Sequence, residues 1–291
     1  MFLVNLIIPQ LFNKKNVVLL IMKILIVLLL LILLVKLCKK KDHFNYLYID
    51  DYKELILEDI FKYSLMIHLE QHEGSRKRLQ KLNKIYAKYN LPYHTFPALH
   101  WKRDEGEINT LPIKRSKPKM WGGAWGLAGS FYKCLKYAKD NNYPFLLYLE
   151  DDAFPMMDKD KFFENYKKII KEFKKGINSN NVYFLSYTRY CRIPCKGTDK
   201  FVDRVKNNGV NGTHAILFTK RSINSILKYT DKHKLDRPID NYLTHLHNKR
   251  VVKTLVWDGK TSDSGMFCGI YDQLDTYCDK RVSVMGEHFH N

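Results

Sequence analysis

The chain has 291 residues, of which 45% are hydrophobic and 13% aromatic, so it can bury a sizeable core and is not a disordered polyampholyte. Lys and Arg number 49 against 30 Asp and Glu, which gives a formal charge of +19. This charge suits nucleic acid or an anionic membrane, but no recognisable nucleic-acid module is present and the lysines are spread widely, so we expect no nucleic-acid partner.

An apolar run opens the chain. Residues 17–35 read VVLLIMKILIVLLLLILLV, interrupted only by Lys23, and a helix of this length approaches the roughly 30 Å hydrocarbon thickness of a bilayer. No small-residue cleavage site follows, so we predict a retained single-pass membrane anchor rather than a signal peptide or a buried core helix. We accordingly divide the chain into an N-terminal segment with the anchor (1–41), a stem (42–62) and a catalytic domain (63–291).

The charges that flank the anchor bear on its orientation. The lysines before it are Lys14 and Lys15, and those after it are Lys36, Lys39, Lys40 and Lys41. This bias favours a cytosolic catalytic domain. A true start at Met22 would shorten the apolar run, and the sequon Asn211-Gly212-Thr213 would carry a glycan only in the lumenal orientation. The membrane orientation stays open.

The six cysteines indicate no metal ribbon and no disulfide scaffold, because they form no CxxC pairs and are sparse. Cys191 and Cys195 could close a small loop in an oxidising lumen. Otherwise we expect ordinary thiols.

The first part of the predicted domain reads as strand, helix, strand. Residues 64–69 form an apolar strand, Ser75 is a plausible N-cap, and residues 79–89 place apolar side chains on one helical face. Residues 92–99 offer a second strand. This succession is typical of a parallel α/β unit.

The next segments continue the alternation. Residues 101–119 are polar, basic and proline-containing, and we expect a mobile loop that flanks a site. A helix around 125–138 then leads into a buried strand, 145–149. Further elements are predicted at 160–175 (helix), 182–186 (strand), 215–218 (strand), 221–229 (helix) and 251–257 (strand). The fold class is therefore α/β, in one domain.

Three adjacent carboxylates, Glu150, Asp151 and Asp152, follow the strand 145–149. Ligands bind beyond the carboxyl ends of strands in open α/β sheets, and Mg²⁺ or Mn²⁺ prefers hard oxygen ligands there. If the strand continues, Glu150 and Asp152 lie on the same side. A solvated helix N-terminus would explain such a triplet equally well by itself.

Several segments resemble glycosyltransferase family 25, which includes lipooligosaccharide and collagen galactosyltransferases. In chain order they are MIHLEQHEGSRKRLQKL, YHTFPALH, GGAWGLAGSFYKCLKYAKDNNYPFLLYLEDDA, GTHAILFTKRSINSIL, RPIDNYL and TSDSG. Together they cover roughly residues 64–265. The chain departs from the family's usual pattern at four positions: His68, His100, Leu127 and Phe131.

The resemblance implies a GT-A-like, Rossmann-like nucleotide-sugar-binding domain and an inverting, Mn²⁺- or Mg²⁺-dependent transfer. The donor would be a UDP-sugar, UDP-galactose or UDP-glucose, and the acceptor a hydroxyl on a glycan, a lipid-linked sugar or a collagen-like protein. The implied site residues are as follows: Asp152 and Glu150 as metal ligands; His68, Leu69, Arg76, Glu150, Asp151 and Ser262 near the donor; and Asp240 as the general base that deprotonates the acceptor.

Other interpretations of these residues stay open. Singly, His68 could be a core histidine, Arg76 a solvated helix residue and Asp240 a first-turn acid of a helix. Ser262 and Ser264 are weaker candidates for donor or acceptor contacts. As a whole, the chain could instead be a catalytically silent, membrane-anchored module that binds nucleotide-sugars or glycans.

Overall fold

A computed structural model describes residues 57–115, 120, 122–155, 157–188, 196–203, 212–259 and 267–273, together with Lys23, Ile26 and Val27, which are helical. Apart from those three residues, the predicted membrane anchor lies outside the described part. Among the described residues, no helix is long and apolar enough to cross a membrane. Leu55–Asn291 forms a compact unit, separate from Met1–Glu54.

The helices of the described segments are α1 Leu57–Lys62, α2 Glu73–Tyr89, α3 Glu105–Thr110, α4 Gly122–Asp140, α5 Lys159–Gly176, α6 Lys220–His233 and α7 Ile239–Asn248. The strands are β1 Ser64–His68, β2 His94–Pro97, β3 Phe145–Glu150, β4 Ala153–Pro155, β5 Asn181–Phe184, β6 Ser186–Thr188, β7 Phe201–Val202, β8 Ala215–Thr219, β9 Lys253–Trp257, β10 Phe267–Gly269 and β11 Tyr271–Gln273.

Seven of these strands form one mixed sheet in the order β2-β1-β3-β8-β5-β9-β7. β1 pairs in parallel with both β2 and β3, while β8 runs antiparallel to its neighbours β3 and β5. β3 is an interior strand, and its first five residues, FLLYL, are all buried because helices cover both faces of the sheet. Two small ribbons, β4–β11 and β6–β10, complete the described sheets.

Helices α3, α4, α6 and α7 pack on one face of the sheet. We call them the second helical layer, because the other face is covered by helices that include α1. Its core includes Ile108 of α3, Phe131 of α4, Ile223 of α6 and Leu243 of α7. Phe131 meets Phe218 of β8 with ring centroids 5.8 Å apart.

The first helical layer covers the other face and consists of α1, α2 and α5. Phe61 of α1 packs against Tyr166 of α5 at 5.3 Å, and Tyr89 of α2 against Phe162 of α5 at 5.5 Å. α5 buries one face, made of Phe162, Tyr166, Ile169, Ile170 and Phe173, and Phe173 meets Phe145 of β3 with ring centroids 5.6 Å apart. The compact unit thus includes α1, which occupies the end of the segment that we interpreted as a stem.

The mixed α/β class and the alternation of elements agree with the sequence analysis, but three details differ. Residues 101–119 are not simply a loop, because α3 forms within them and buries Ile108. β8 is antiparallel, which the apolar pattern of 215–218 does not distinguish from parallel. The ribbons that involve β4, β6, β10 and β11 were not predicted, because three-residue strands have too few positions to show an alternation.

Candidate functional site

The candidate site lies outside the carboxyl ends of β1 and β3. The chain leaves β1 through α2 to reach β2 on one side, and then passes through α4 to β3 on the other side of β1. This reversal of strand order is a topological switch point, where open α/β sheets form a ligand crevice. His68 ends β1 and Glu150 ends β3, so the two predicted segments meet at this point.

Asp151 is 6% exposed, and its carboxylate is contacted from β1 and α2. Its Oδ1 accepts hydrogen bonds from Nε and Nη2 of Arg78, at 3.0 and 2.8 Å. Its Oδ2 accepts from the Ser75 hydroxyl and lies 3.2 Å from Nδ1 of His68. The Ser75 Oγ also accepts the Leu69 backbone N–H at 3.1 Å. We call Asp151, Arg78, Ser75 and His68 the Asp151 cluster.

The protein itself compensates the charge of Asp151. Burial would raise the pKa of this carboxyl, but the hydrogen bond from His68 and the charge of Arg78, among other contacts, hold it below its ordinary value. The Arg78 and Asp151 side chains are 17% and 8% exposed. A pair this well shielded from water fixes the end of β3 against α2.

The cap of α2 explains why Ser75 is available to Asp151. The Nδ1 of His72 accepts the Ser75 backbone N–H at 3.2 Å and so satisfies a donor that the first helical turn leaves open. The prediction that Ser75 is the N-cap is wrong, because the helix begins two residues earlier, at Glu73. The Ser75 hydroxyl points to the Asp151 cluster instead.

A cavity of about 120 Å³ opens beside the Asp151 cluster. It is lined by Leu69, His72, Ser75 and Arg78 on the side of β1 and α2, and by Leu99, His100, Trp101 and Gly123 on the other side. This lining provides a guanidinium, two imidazoles and an indole, and contains no carboxylate. Such a surface suits a ligand that combines negative charge with a flat ring.

The glycine-rich start of α4 builds the far wall of this cavity. A Cβ at Gly122 would lie 2.3 Å from the Trp101 ring, and one at Gly126 would lie 2.6 Å from the Leu99 carbonyl oxygen. The Ser130 hydroxyl accepts the Leu99 N–H at 2.8 Å and donates to the Gly126 carbonyl at 2.8 Å. The motif GGAWGLAGS therefore fixes the wall residues Leu99 and Trp101 through close backbone approach.

Cations surround the indole of Trp101. The guanidinium carbon of Arg115 lies 5.5 Å from the centre of this ring and 5.0 Å from that of Trp125. The Nζ of Lys102 lies 4.9 Å from the Trp101 centre. These contacts keep positive charge close to the cavity.

Glu150 faces a different part of the chain from Asp151. The Thr213 hydroxyl donates to its Oε1, and its own backbone N–H donates to the His214 carbonyl at 3.0 Å. Burial first, and then the charge of Asp152, raise the pKa of the Glu150 carboxyl to about 8, although the bond from Thr213 lowers it. Glu150 therefore holds its proton more tightly than an ordinary glutamate does.

Asp240 is the electrostatic neighbour of Glu150 from α7. It lies in the first turn of this helix, and its Oδ1 accepts the Asn241 N–H at 2.7 Å. Burial raises its pKa, while a backbone hydrogen bond from Gly212 lowers it, and the charge of Asp240 in turn raises the pKa of Glu150. Residues 212 and 213 thus contact both carboxyl groups.

Asp152 completes a set of three carboxyl groups, Glu150, Asp152 and Asp240, which we call the Glu150 cluster. β3 ends at Glu150 and Asp152 lies in the following turn, yet Asp152 remains close enough to affect the Glu150 pKa. No group of three or more His, Cys, Asp or Glu that could hold a metal was found in the described segments. One or two carboxylates suffice for Mg²⁺ or Mn²⁺ when phosphate and water supply the other ligands, so this result does not test the predicted roles of Asp152 and Glu150 as metal ligands.

The remaining predicted residues lie at or away from the site. Leu69 lines the cavity. Arg76 is exposed, and its guanidinium donates to the Glu70 carbonyl at 3.2 Å rather than lining the cavity. Ser262 and Ser264 lie outside the described residues, as do Cys191 and Cys195.

The sequence analysis missed Arg78, Ser75 and Thr213 as site residues. Ser75 and Arg78 are three positions apart and share a helical face, so a helix start at Glu73 would have selected Arg78 over Arg76. Thr213 drew attention only as part of a sequon, and no local pattern links it to Glu150.

No protein family and no curated protein matches the sequence. Among solved structures, the chain is similar to A197 from STIV, with 14% identity and a TM-score of 0.36 over 76% of this chain and 97% of that one. It is also similar to mannose-1-phosphate geranyltransferase from Thermus thermophilus, with 11% identity and a TM-score of 0.34 over 67% and 73%. These likenesses are too low to assign a function. The fold and the site define a mixed α/β protein with a cavity at a topological switch point of the sheet.

Proposed function

We propose that the chain is a glycosyltransferase with a GT-A-like domain that uses a nucleotide-sugar donor. One observation carries this proposal: segments far apart in sequence, which resemble glycosyltransferase family 25, converge at one edge of the sheet. The end of β1, the start of α2, the Leu99–Trp101 wall and the glycine-rich start of α4 border the cavity. Asp151 contacts two of the cavity residues, Arg78 and Ser75, and Asp240 is an electrostatic neighbour of Glu150, the residue before Asp151.

Part of the nucleotide, its diphosphate or its base, would occupy the cavity of about 120 Å³ next to the Asp151 cluster. Arg78 and the imidazoles of His72 and His100 offer donors to its phosphates, and Trp101 offers an aromatic surface. Asp151 would act indirectly, because its two oxygens already accept hydrogen bonds from Arg78 and Ser75. Its role is then to position Arg78, rather than to bind the donor ribose itself.

Asp152 and Glu150 would hold Mn²⁺ or Mg²⁺, which supplies Lewis-acid stabilisation of the diphosphate leaving group when bound. A cation would also relieve the mutual repulsion that raises the pKa of Glu150. Thr213 orients the Glu150 carboxyl toward this position through its hydrogen bond.

Asp240 would act as the general base of an inverting transfer. The backbone N–H groups of Asn241 and Gly212 hold its carboxylate, and burial raises its pKa toward the range in which a base works best. The base takes the proton of the acceptor hydroxyl as its oxygen attacks the anomeric carbon, and the nucleoside diphosphate leaves on the opposite face. The hexose would be galactose or glucose, and the acceptor a glycan, a lipid-linked sugar or a collagen-like protein.

A donor and acceptor screen tests the proposal. The full chain would be incubated with UDP-galactose or UDP-glucose, each acceptor class and Mn²⁺, and UDP release and product mass would be measured. We expect release that stops with EDTA and with Asp152→Asn, while the control Asp199→Asn retains it. Activity that persists with EDTA and in Asp152→Asn would contradict the metal site. Donor binding without transfer to any acceptor would favour the alternative of a silent binding module.

A further inference from the structure

The outer surface of the first helical layer is strongly basic. Its exposed basic residues are Lys62 of α1, Arg76, Lys77, Lys81, Lys84 and Lys88 of α2, and Lys161, Lys167, Lys171 and Lys175 of α5. The exposed acids on the described side chains of these helices are Glu73, Asp160 and Glu164. The lysines are thus not spread evenly over the domain, as the sequence alone suggested.

The second helical layer provides an internal comparison. Its exposed lysines and arginines are Lys136, Lys139, Arg221, Lys228 and Lys232, and its exposed acids are Glu105, Glu107, Asp140 and Asp231. Basic and acidic groups nearly balance within these four helices, and the exposed residues Lys234, Lys249 and Arg250 follow the ends of α6 and α7. A compositional bias by itself does not explain that difference.

Part of the basic surface is not neutralised by the protein. Lys77 pairs with Glu73 at 2.6 Å, and other lysines of the layer have similar exposed pairs. Lys84, Lys88, Lys167 and Lys171, by contrast, form no ion pair with the side chains that the structure describes. These four exposed charges can meet an external anionic partner.

The chain enters the domain through this same layer. α1 begins at Leu57, and residues 36–56 connect it to the apolar run 17–35. A bilayer that held the apolar run would be tethered to α1 by a linker of about twenty residues. Tethering raises the effective concentration of the lipid surface at the domain, so that weak electrostatic contacts suffice for docking.

We propose that the outer face of α1, α2 and α5 docks on anionic lipid headgroups of the bilayer that holds the N-terminal apolar run. Anionic leaflets attract basic residues within a Debye length, about 8 Å at physiological ionic strength. α2 also begins at the cavity, so the docked face borders the candidate site. The proposal does not depend on the glycosyltransferase activity. Nucleic acid is the competing anionic partner, but a bilayer is favoured because the apolar run is covalently linked to this layer.

Lysine footprinting on the full chain tests this docking. The protein would be placed in nanodiscs of phosphatidylcholine alone or with phosphatidylserine, and the acetylation rate of each lysine measured by mass spectrometry. We expect Lys84, Lys88, Lys167 and Lys171 to react at least about threefold more slowly on anionic nanodiscs, and high salt to remove the difference. Lys139, Lys228 and Lys232 of the second layer should react equally on both.

Matched variants separate local charge from total charge. Lys77 and Lys175 of the same layer stay in the variant in which Lys84, Lys88, Lys167 and Lys171 are replaced by Gln, and they report whether docking persists. We expect this variant to lose the slower acetylation of Lys77 and Lys175 on anionic nanodiscs. Replacing Lys139, Arg221, Lys228 and Lys232 by Gln removes the same charge from the other layer and should leave it intact.

Three results would overturn the proposal: equal protection of both layers, no dependence on phosphatidylserine in the unmodified chain, or failure of the full chain to enter nanodiscs. Protection of the four lysines by a duplex RNA or DNA, but not by anionic nanodiscs, would assign the surface to nucleic acid instead.

Discussion

Asp151 and Glu150 are neighbours at the same edge of the sheet, but their carboxyl groups lie in opposite electrostatic environments. Asp151 accepts hydrogen bonds from the Arg78 guanidinium, and its pKa lies below the ordinary value. One residue earlier, Glu150 is packed near two further acids, Asp152 and Asp240, and its pKa is raised to about 8. The side chains diverge at the end of β3, so that Asp151 meets α2 and Glu150 meets residues 213–214.

This difference separates structure from chemistry within a single triplet. The charge of Asp151 is compensated internally by Arg78, so this cluster stabilises the fold whether or not a ligand is bound. In the Glu150 cluster, burial and then the charge of Asp152 raise the pKa of Glu150, and perturbed carboxyl groups of this kind concentrate at functional sites. Changes in the first cluster should therefore lower stability, and at Arg78 also donor affinity, whereas changes in the second should affect transfer.

The largest expected effect is on transfer by Asp240→Asn. The amide cannot accept the acceptor proton, so kcat should fall about 10³-fold, or about 4 kcal/mol in the activation free energy, while the free energy of unfolding stays the same or rises. The measurement is transfer rate together with donor affinity by calorimetry. Asp236→Asn, on the approach to the same helix, is the control and should retain activity. Lost donor affinity in Asp240→Asn would show that this residue binds the donor instead.

Arg78→Met, unlike Asp240→Asn, should lower the free energy of unfolding. It leaves the Asp151 carboxylate buried without its guanidinium, and breaking a shielded pair in this way costs about 3 kcal/mol of unfolding free energy. Arg76→Met, two positions away and exposed, should change it by less than about 0.5 kcal/mol. Denaturant unfolding of both variants measures the contrast. Equal effects would mean that the Asp151 cluster is not a structural centre.

The wall residues Leu99 and Trp101 border the same cavity as the Asp151 cluster, and changes there should also affect stability. Gly126→Ala places a methyl group 2.6 Å from the Leu99 carbonyl, and the resulting overpacking should cost about 2 kcal/mol in thermal or denaturant unfolding. Gly106→Ala is the matched control, because a Cβ there meets nothing within 4 Å in the helix α3. It should stabilise the fold by about 0.5 kcal/mol. A tolerated Gly126→Ala would show that α4 can move away from the wall.

The sequence identified the elements well and the contacts between them only in part. The central strand β3 and the helices α4 and α5 were predicted because their apolar patterns are long and regular. The acidic triplet and Asp240 were selected as well, since motifs place them near strand and helix ends. The opposite environments of Glu150 and Asp151 were not predicted, because they depend on partners 63 and 73 positions away in the chain.

Individual residues show the same limit. Arg76 and Arg78 have the same chemistry and differ only in the helical face that they occupy. Arg78 lies on the side of α2 that reaches Asp151, whereas Arg76 donates to the Glu70 carbonyl. Thr213 reaches Glu150 only because β8 inserts antiparallel beside β3, and the direction of a short apolar strand is not written in its pattern. Tertiary pairing, rather than local propensity, places these residues.

The contrast between Asp151 and Glu150 should also appear in the pH dependence of the free energy of unfolding. Asp151 has a lowered pKa, so its stabilisation is present above pH 3.8 and is lost as the pH falls through the folded value. Glu150 has a raised pKa, so the folded state binds more protons, and stability decreases as the pH rises from 4.5 to about 8.

His214, buried and neutral, has a pKa lowered to about 4 and opposes the effect of Glu150 up to its ordinary value of 6.5. Above pH 6.5 the contribution of Glu150 should therefore be separable, with a slope that cannot exceed about 1.4 kcal/mol per pH unit. Unfolding of the unmodified chain and of Glu150→Gln would be compared between pH 6.5 and 8, without added divalent ions. As the pH rises, Glu150→Gln should become more stable relative to the unmodified chain. Only the unmodified chain must give up the Glu150 proton among neighbouring carboxylates. A constant difference would place Glu150 in an environment like that of Asp151, and the division between the two clusters would fail.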